Sequence, residues 1–229
     1  MKEKVPTIAF EGINRVGKGT QIDKLKEVLS DTSISFVELR GDGTREGLGK
    51  SAGDPFDLWW QENSKKLRVE GTTEEWHYAA YKLAEELSKW RETIDSLDKE
   101  VILLDRSLIS RASFVLDREP GPFSILEIND LYPIQPEKEL ELEDVLPDII
   151  FELTAPKNIL LSRLDPNDPK YDFRAKIIEN NYDNFSRART LLSPIIQERI
   201  IQIDSSRPID QVFDDILEEL NNKLTLFKK

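Results

Sequence analysis

Phe10-Glu11-Gly12-Ile13-Asn14-Arg15-Val16-Gly17-Lys18-Gly19-Thr20 is the stretch on which the reading of this chain turns. A short apolar run over residues 5–10 precedes it, and residues 21–29, which follow, carry apolar side chains at helical spacing. Strand, glycine loop and a helix opening at Lys18 are the context in which a loop binds phosphate. Gly12 and Gly17 let the backbone curl so that successive N–H groups converge on one anion. The helix N-terminus adds the positive end of its dipole, and Lys18 supplies a mobile cation for the outer phosphates. The stretch predicts binding of a nucleoside triphosphate.

The loop departs from the commonest pattern at one place. Ser or Thr normally follows the lysine directly and reaches a magnesium ion; here Gly19 intervenes and the hydroxyl arrives at Thr20. Gly-Lys-Gly-Thr resembles the adenylate kinase form of the loop, which puts Thr20 on phosphate or on the metal through water. Arg15, inside the loop, is a second cation for the transferring phosphoryl group.

Composition narrows the function classes. With 229 residues the chain suits a single α/β domain spanning 1–229. It has no cysteine, so disulfides, thiolate metal sites and cysteine catalysis are excluded. His77 is the only histidine, which leaves no basis for a His-based zinc site or a Ser-His triad. The apolar stretches fall short of the ~18 residues of a membrane span, and the opening Met1-Lys2-Glu3-Lys4 does not begin a signal-peptide core, so a cytoplasmic protein without membrane association is expected. The net charge of −12 argues against nucleic-acid binding, which needs a positive face. An anionic substrate would have to be met by a local cluster of arginines and lysines.

Outward from the loop the chain alternates strand and helix signals. Ile34-Ser35-Phe36-Val37-Glu38-Leu39 reads as a second strand, leading into Arg40-Gly41-Asp42-Gly43-Thr44-Arg45. Residues 76–94 carry Trp76, Ala79, Ala80, Leu83, Leu87 and Trp90 at helical spacing. Val101-Ile102-Leu103-Leu104 is a continuous apolar run, as in a strand covered on both faces. Asp148-Ile149-Ile150-Phe151-Glu152-Leu153 and Ile200-Ile201-Gln202-Ile203-Asp204 complete five strands, and an amphipathic helix is predicted over 209–224. The pattern predicts an α/β fold, a doubly wound parallel five-stranded sheet flanked by helices, with ligands at the carboxyl ends of the strands. The acidic run at 137–144 reads as a solvated face.

Those strand ends carry the remaining chemistry. Asp105-Arg106-Ser107 follows the third strand, where the fold sets it beside the glycine loop. A carboxylate there suits a hydrated magnesium ion or the acceptor oxygen, and the guanidinium suits a phosphate gripped by paired hydrogen bonds. Arg40 and Arg45 project from the loop after the second strand, and either would grip an acceptor phosphate. Two cationic loops around one crevice suit phosphoryl transfer between anions, which needs positioning and charge neutralisation more than covalent chemistry.

At this point the chain resembles the thymidylate kinase family, within the P-loop nucleoside monophosphate kinases, over nearly its whole length. The opening loop is similar to the family's, including an arginine inside it. The segment from Leu39 to Gly49 is similar to the one whose arginine holds the acceptor phosphate. Tyr78-Ala79-Ala80-Tyr81-Lys82 sits where the family has a base-stacking aromatic residue, two small residues and an arginine. Leu104-Asp105-Arg106-Ser107 matches the family's Asp-Arg-aromatic motif, and residues 203–209 are similar to the stretch bordering adenine. The resemblance implies transfer of the ATP γ-phosphoryl group to dTMP with Mg2+, ATP being held by Gly12, Asn14, Arg15, Val16, Gly17, Lys18, Gly19 and Thr20. Lys18, Arg15, Asp105, Arg106, Arg163 and Arg174 would be catalytic. Arg40, Arg45, Tyr78, Lys82, Arg106 and Tyr182 would bind the acceptor, and Thr20 and Asp105 the metal. Residues 165–173, rich in Pro, Asn and Asp and flanked by Arg163 and Arg174, would form a mobile lid within about 163–174. Tyr182 would approach the acceptor base or pack in the core with Phe185. The family forms homodimers through helix faces; Trp59, Trp60, Trp76 and Trp90 would serve such a face or the core.

The acceptor side departs from the family pattern. Asn14 stands where many members have a carboxylate, Lys82 replaces an arginine and cannot reproduce its planar fork, Ser107 replaces an aromatic residue, and Val115 falls near a base-reading glutamine. Two other readings remain open. Asp-Arg-Ser also resembles the deoxynucleoside kinases, whose alcohol acceptor needs a general base, with Glu11 the nearest carboxylate. A nucleotide-binding regulatory protein without kinase activity is the third. The lack of an Asn-Lys-x-Asp sequence argues against a P-loop GTPase.

Overall fold

The computed structural model describes residues 5–40, 100–107, 110, 147–192 and 194–224, with the side chains of Leu39, Arg40, Leu191 and Ile195 left out. Five strands, β1 (Thr7–Glu11), β2 (Phe36–Arg40), β3 (Val101–Asp105), β4 (Ile149–Thr154) and β5 (Ile200–Asp204), form one sheet in the order β2-β3-β1-β4-β5. Every pairing is parallel. The helices among the described residues are α1 (Lys18–Asp31), α2 (Lys157–Ser162), α3 (Tyr171–Leu191), α4 (Pro194–Gln197) and α5 (Ile209–Lys223). All five expected strands form, each within two residues of its sequence reading. The expected helix at 76–94 and the acidic run at 137–144 lie outside the described residues.

Burial explains the placement. All five residues of β1 are buried, including Ile8, Ala9 and Phe10 on successive faces, because β1 sits at the centre of the sheet with helices on both sides. The Phe10 and Phe151 rings, on neighbouring strands in register, lie 5.5 Å apart between centroids. α1 buries Ile22, Leu25 and Leu29, spaced for one helical face, and α5 buries Val212, Phe213, Ile216 and Leu220. These two helices pack together, so the first and last helices of the sheet are neighbours; the Gln21 side chain donates to the Ile209 carbonyl at 3.2 Å across 188 residues of sequence.

Strand order fixes where a ligand sits. From β1 the chain passes to β2, beyond β3, whereas β3 is followed by β4 on the opposite side of β1. The carboxyl ends of β1 and β3 therefore lie where the strand order reverses, the position at which open α/β sheets take their ligands.

Candidate functional site: a phosphate cleft at the ends of β1 and β3

The loop after β1 reverses the chain with left-handed residues. Gly12 has φ +129°, Arg15 +68° and Gly17 +103°. At Gly12 a side chain is impossible as well as strained, since a Cβ there would lie 2.4 Å from the Leu153 carbonyl oxygen. Gly17 is the residue just before α1, and no side chain caps that end, which is the end of a helix that attracts an anion. Lys18 is only 7% exposed and donates from Nζ to the Gly12 carbonyl at 2.8 Å and the Ile13 carbonyl at 3.3 Å. It is folded back along the loop.

The Gly12 carbonyl also accepts from Arg106 Nη1 at 3.3 Å. Arg106 donates further to the Ser110 hydroxyl at 2.9 Å and to Asn14 Oδ1 at 2.7 Å. Its backbone is left-handed, at φ +80°, immediately beyond β3. Glu11, fully buried as the last residue of β1, accepts from the Ser107 N–H, from the Ser110 N–H at 3.2 Å and from the Ser110 hydroxyl. Lys18, Arg106 and Asn14 thus converge on one short stretch of backbone.

Around this centre lies a cleft of about 650 Å3, lined by the loop from Asn14 to Gln21, by Asp105 and Arg106, and by Arg163, Ser205, Arg207, Ile209 and Val212. Arg163, at the end of α2, donates to the Arg15 carbonyl at 3.2 Å and to the Ser205 carbonyl at 2.6 Å, bridging the loop to the turn after β5. That turn is set by Asp204, whose carboxylate accepts from Ser206 N–H at 2.9 Å and Ser206 Oγ at 2.6 Å, and these bonds hold its pKa below the ordinary value.

Of the residues singled out in the sequence, the structure brings Asn14, Arg15, Val16, Gly17, Lys18, Gly19, Thr20, Asp105, Arg106 and Arg163 to this cleft; Gly12 is not among its lining residues, but its carbonyl accepts from Lys18 and Arg106, which are. Arg174 and Tyr182 are not among its lining residues. Arg174 pairs with Asp168 in the loop before α3, and the same carboxylate lies 3.7 Å from Arg15. The Tyr182 hydroxyl donates to the Ala155 carbonyl at 3.1 Å, its ring packs against the core, and Lys157 lies 5.1 Å from the ring centroid. Of the two expectations for Tyr182, this geometry is that of core packing. The loop expected as a lid runs only to Lys170, since helix α3 begins at Tyr171. The Arg40 backbone pairs in register with Asp105, one residue from Arg106. Arg45, Tyr78 and Lys82 lie outside the described residues. Ser205, Arg207 and Ile209 belong to the stretch 203–209 expected to border adenine, and the structure sets them on this cleft; Val212 was not singled out. Glu11 was named only as the carboxylate nearest the loop, and Ser110 gave no signal.

An α/β sheet in this order, with a glycine loop running into α1 and arginines closing over it, defines the P-loop kinase architecture. A family model described as thymidylate kinase matches residues 10–216. The thymidylate kinase of Plasmodium falciparum is 24% identical over 222 residues, covering 96% of this chain and 91% of its own length. That of Campylobacter hominis is 28% identical over 227 residues, covering 97% and 99%. Among solved structures, the thymidylate kinase of Candida albicans superposes with a TM-score of 0.62 at 19% identity, over 96% of this chain and 92% of that one. The chain belongs to the thymidylate kinase family, whose members are ATP-dependent phosphotransferases.

Proposed function

We propose that this enzyme transfers the γ-phosphoryl group of ATP to dTMP, giving dTDP and ADP. Family membership supports the reaction, and the observation that carries the mechanism is the Gly12 carbonyl shared by Lys18 and Arg106. It sets the donor's cation and the acceptor's cation against one atom, as transfer between two phosphates requires. The loop amides and the start of α1 hold the ATP phosphates. Lys18 swings from its two carbonyls to the outer phosphates, and Arg15 and Arg163 neutralise charge as it develops. Arg174 joins them if its bond to Asp168 opens. Arg106, with Arg40 or Arg45, grips the acceptor phosphate, and Tyr78 and Lys82 face its base.

The donors present fit Mg2+. Thr20 and Asp105 both line the cleft beside the loop, a hydroxyl and a carboxylate being the hard oxygen ligands this ion takes while it keeps water and phosphate as its other partners. Among the described residues there is no cluster of three carboxylates, histidines or cysteines that would form an all-protein cage. When bound, the ion would neutralise charge on the ATP phosphates. A nucleoside acceptor is disfavoured because Glu11, the carboxylate nearest the loop, is buried and already accepts three hydrogen bonds, leaving it poorly placed to take a proton from an alcohol. Among the described residues no helix is long and apolar enough to cross a membrane; we place the enzyme in the cytoplasm with its nucleotide substrates, and as a homodimer, which light scattering on the purified chain checks.

The test is ADP release with Mg-ATP against a panel of nucleoside monophosphates and free nucleosides. A signal with dTMP well above the others is the expected result. Signal confined to another monophosphate reassigns the acceptor, and signal confined to a nucleoside overturns the reading.

A further inference from the structure

The most unusual polar arrangement among the described residues is not on the cleft wall but behind it. Among the described residues, Arg106 is the one non-glycine residue with left-handed backbone on the β3 side of the site, and such a conformation persists only where its surroundings impose it. Two bonds to β1 flank it. The Arg106 N–H donates to the Phe10 carbonyl at 2.9 Å, and the following N–H, of Ser107, donates to Glu11 Oε1. The same carboxylate takes the Ser110 hydroxyl on its other oxygen, and that hydroxyl accepts from Arg106 Nη1 at 2.9 Å. Because the hydroxyl proton is committed to Glu11, the serine lone pairs are turned toward the guanidinium. Glu11 therefore governs Arg106 twice, through the backbone after it and through the hydroxyl beneath its side chain.

We infer that Glu11, acting through Ser110, is the positioning residue that holds Arg106 in the orientation needed to receive the acceptor phosphate. The inference rests on the role proposed above for Arg106. Glu11 touches neither nucleotide: it is fully buried and is not part of the cleft lining. Arg106 keeps its remaining donors on Asn14 Oδ1 and the Gly12 carbonyl, so loss of the Ser110 bond leaves the guanidinium inside the site but free to turn.

The experiment is a set of double-mutant cycles in the full-length chain, read as separate Michaelis constants for the acceptor and for ATP. The acceptor is whichever nucleotide the wild type turns over fastest in the panel, so a change of acceptor overturns the dTMP reading while the cycle stays readable. Ser110→Ala is expected to raise the acceptor KM about tenfold, the weight of one hydrogen bond to a charged group, with the KM for ATP within about twofold. Ser110→Thr, which keeps the hydroxyl, restores most of the loss. Glu11→Gln follows Ser110→Ala in direction, and neither adds more than about twofold on an Arg106→Ala background, because both act through that side chain. Should Glu11→Gln fail to fold, the serine pair of variants decides alone. Equal changes in both Michaelis constants, an acceptor KM unmoved by Ser110→Ala, or full additivity with Arg106→Ala overturns the inference.

Discussion

Lys18 donates to two carbonyls of its own loop, and a polyphosphate arriving in the cleft would offer it charged oxygens in their place. Lys18→Ala is expected to lower turnover by on the order of 10²-fold or more, since it removes a cation from the transition state. Turnover near wild type would remove the loop lysine from the mechanism. Arg106→Ala is expected to raise the acceptor KM by about tenfold to a hundredfold, with little change in that for ATP; equal effects on both would make Arg106 a structural residue. Lys18 and Arg106 were legible in the sequence because each belongs to a motif whose neighbours announce it. Glu11 was not. A carboxylate ending an apolar strand beside a glycine loop reads equally as a base, a metal ligand or a buried acceptor, and only its three donors, two of them from Ser110 ninety-nine residues away, separate these. Tyr182 was ambiguous for the same reason, since an aromatic residue on a helix faces core or cleft according to packing that spacing alone does not specify.

At the scale of the element, the loop between β1 and α1 leans on β4 as much as on its own glycines. Gly12→Ala combines a left-handed φ with a Cβ driven against the rigid Leu153 carbonyl. Strain of roughly 1–3 kcal/mol from the backbone alone implies a Tm lowered by about 2–12 °C, and the collision adds to it. Gly19→Ala, where a Cβ meets nothing within 4 Å and the backbone is helical, is expected to leave the nucleotide-free Tm unchanged or slightly raised. Thermal melts of the two variants side by side check this, and equal losses would show that the contact with Leu153 is not what selects glycine. The strands were legible because buried parallel strands are short apolar runs, and β5 ends where its sequence does. The loop after Arg163 was read too long, since Tyr171 and Phe173 look like loop residues beside Pro169 but start a helix of 21 residues.

Across the molecule, a polar row crosses the apolar sheet. Glu11, Glu152 and Gln202 are register neighbours on β1, β4 and β5. Arg189 of α3 donates to Glu152 Oε2 at 2.8 Å and Gln202 to the same oxygen at 3.1 Å. Burial pushes the Glu152 carboxyl up from 4.5 to about 7, with Arg189 opposing and Glu11 reinforcing the shift. Between those two values the folded protein keeps a proton that the unfolded chain releases, so stability falls as pH rises through them; below 4.5 both states are protonated and the cost is absent. The loss is on the order of 3 kcal/mol, complete above about pH 7. Glu152→Gln should therefore gain Tm relative to wild type as pH is raised from about 5 to 8, and parallel curves would show that the carboxylate is ionised throughout. The sheet order also has a bearing on synthesis. The glycine loop emerges from the ribosome well before Ser205, Arg207, Ile209 and Val212 of its cleft, and Gln21 must wait for Ile209. Between the synthesis of residue 154 and that of residue 200, β4 has no partner on its outer edge, and a nascent chain stalled in that interval carries the whole glycine loop with one wall of the cleft missing. The cleft is thus finished only after β5, and a truncation before residue 200 would take a wall from a loop encoded far upstream.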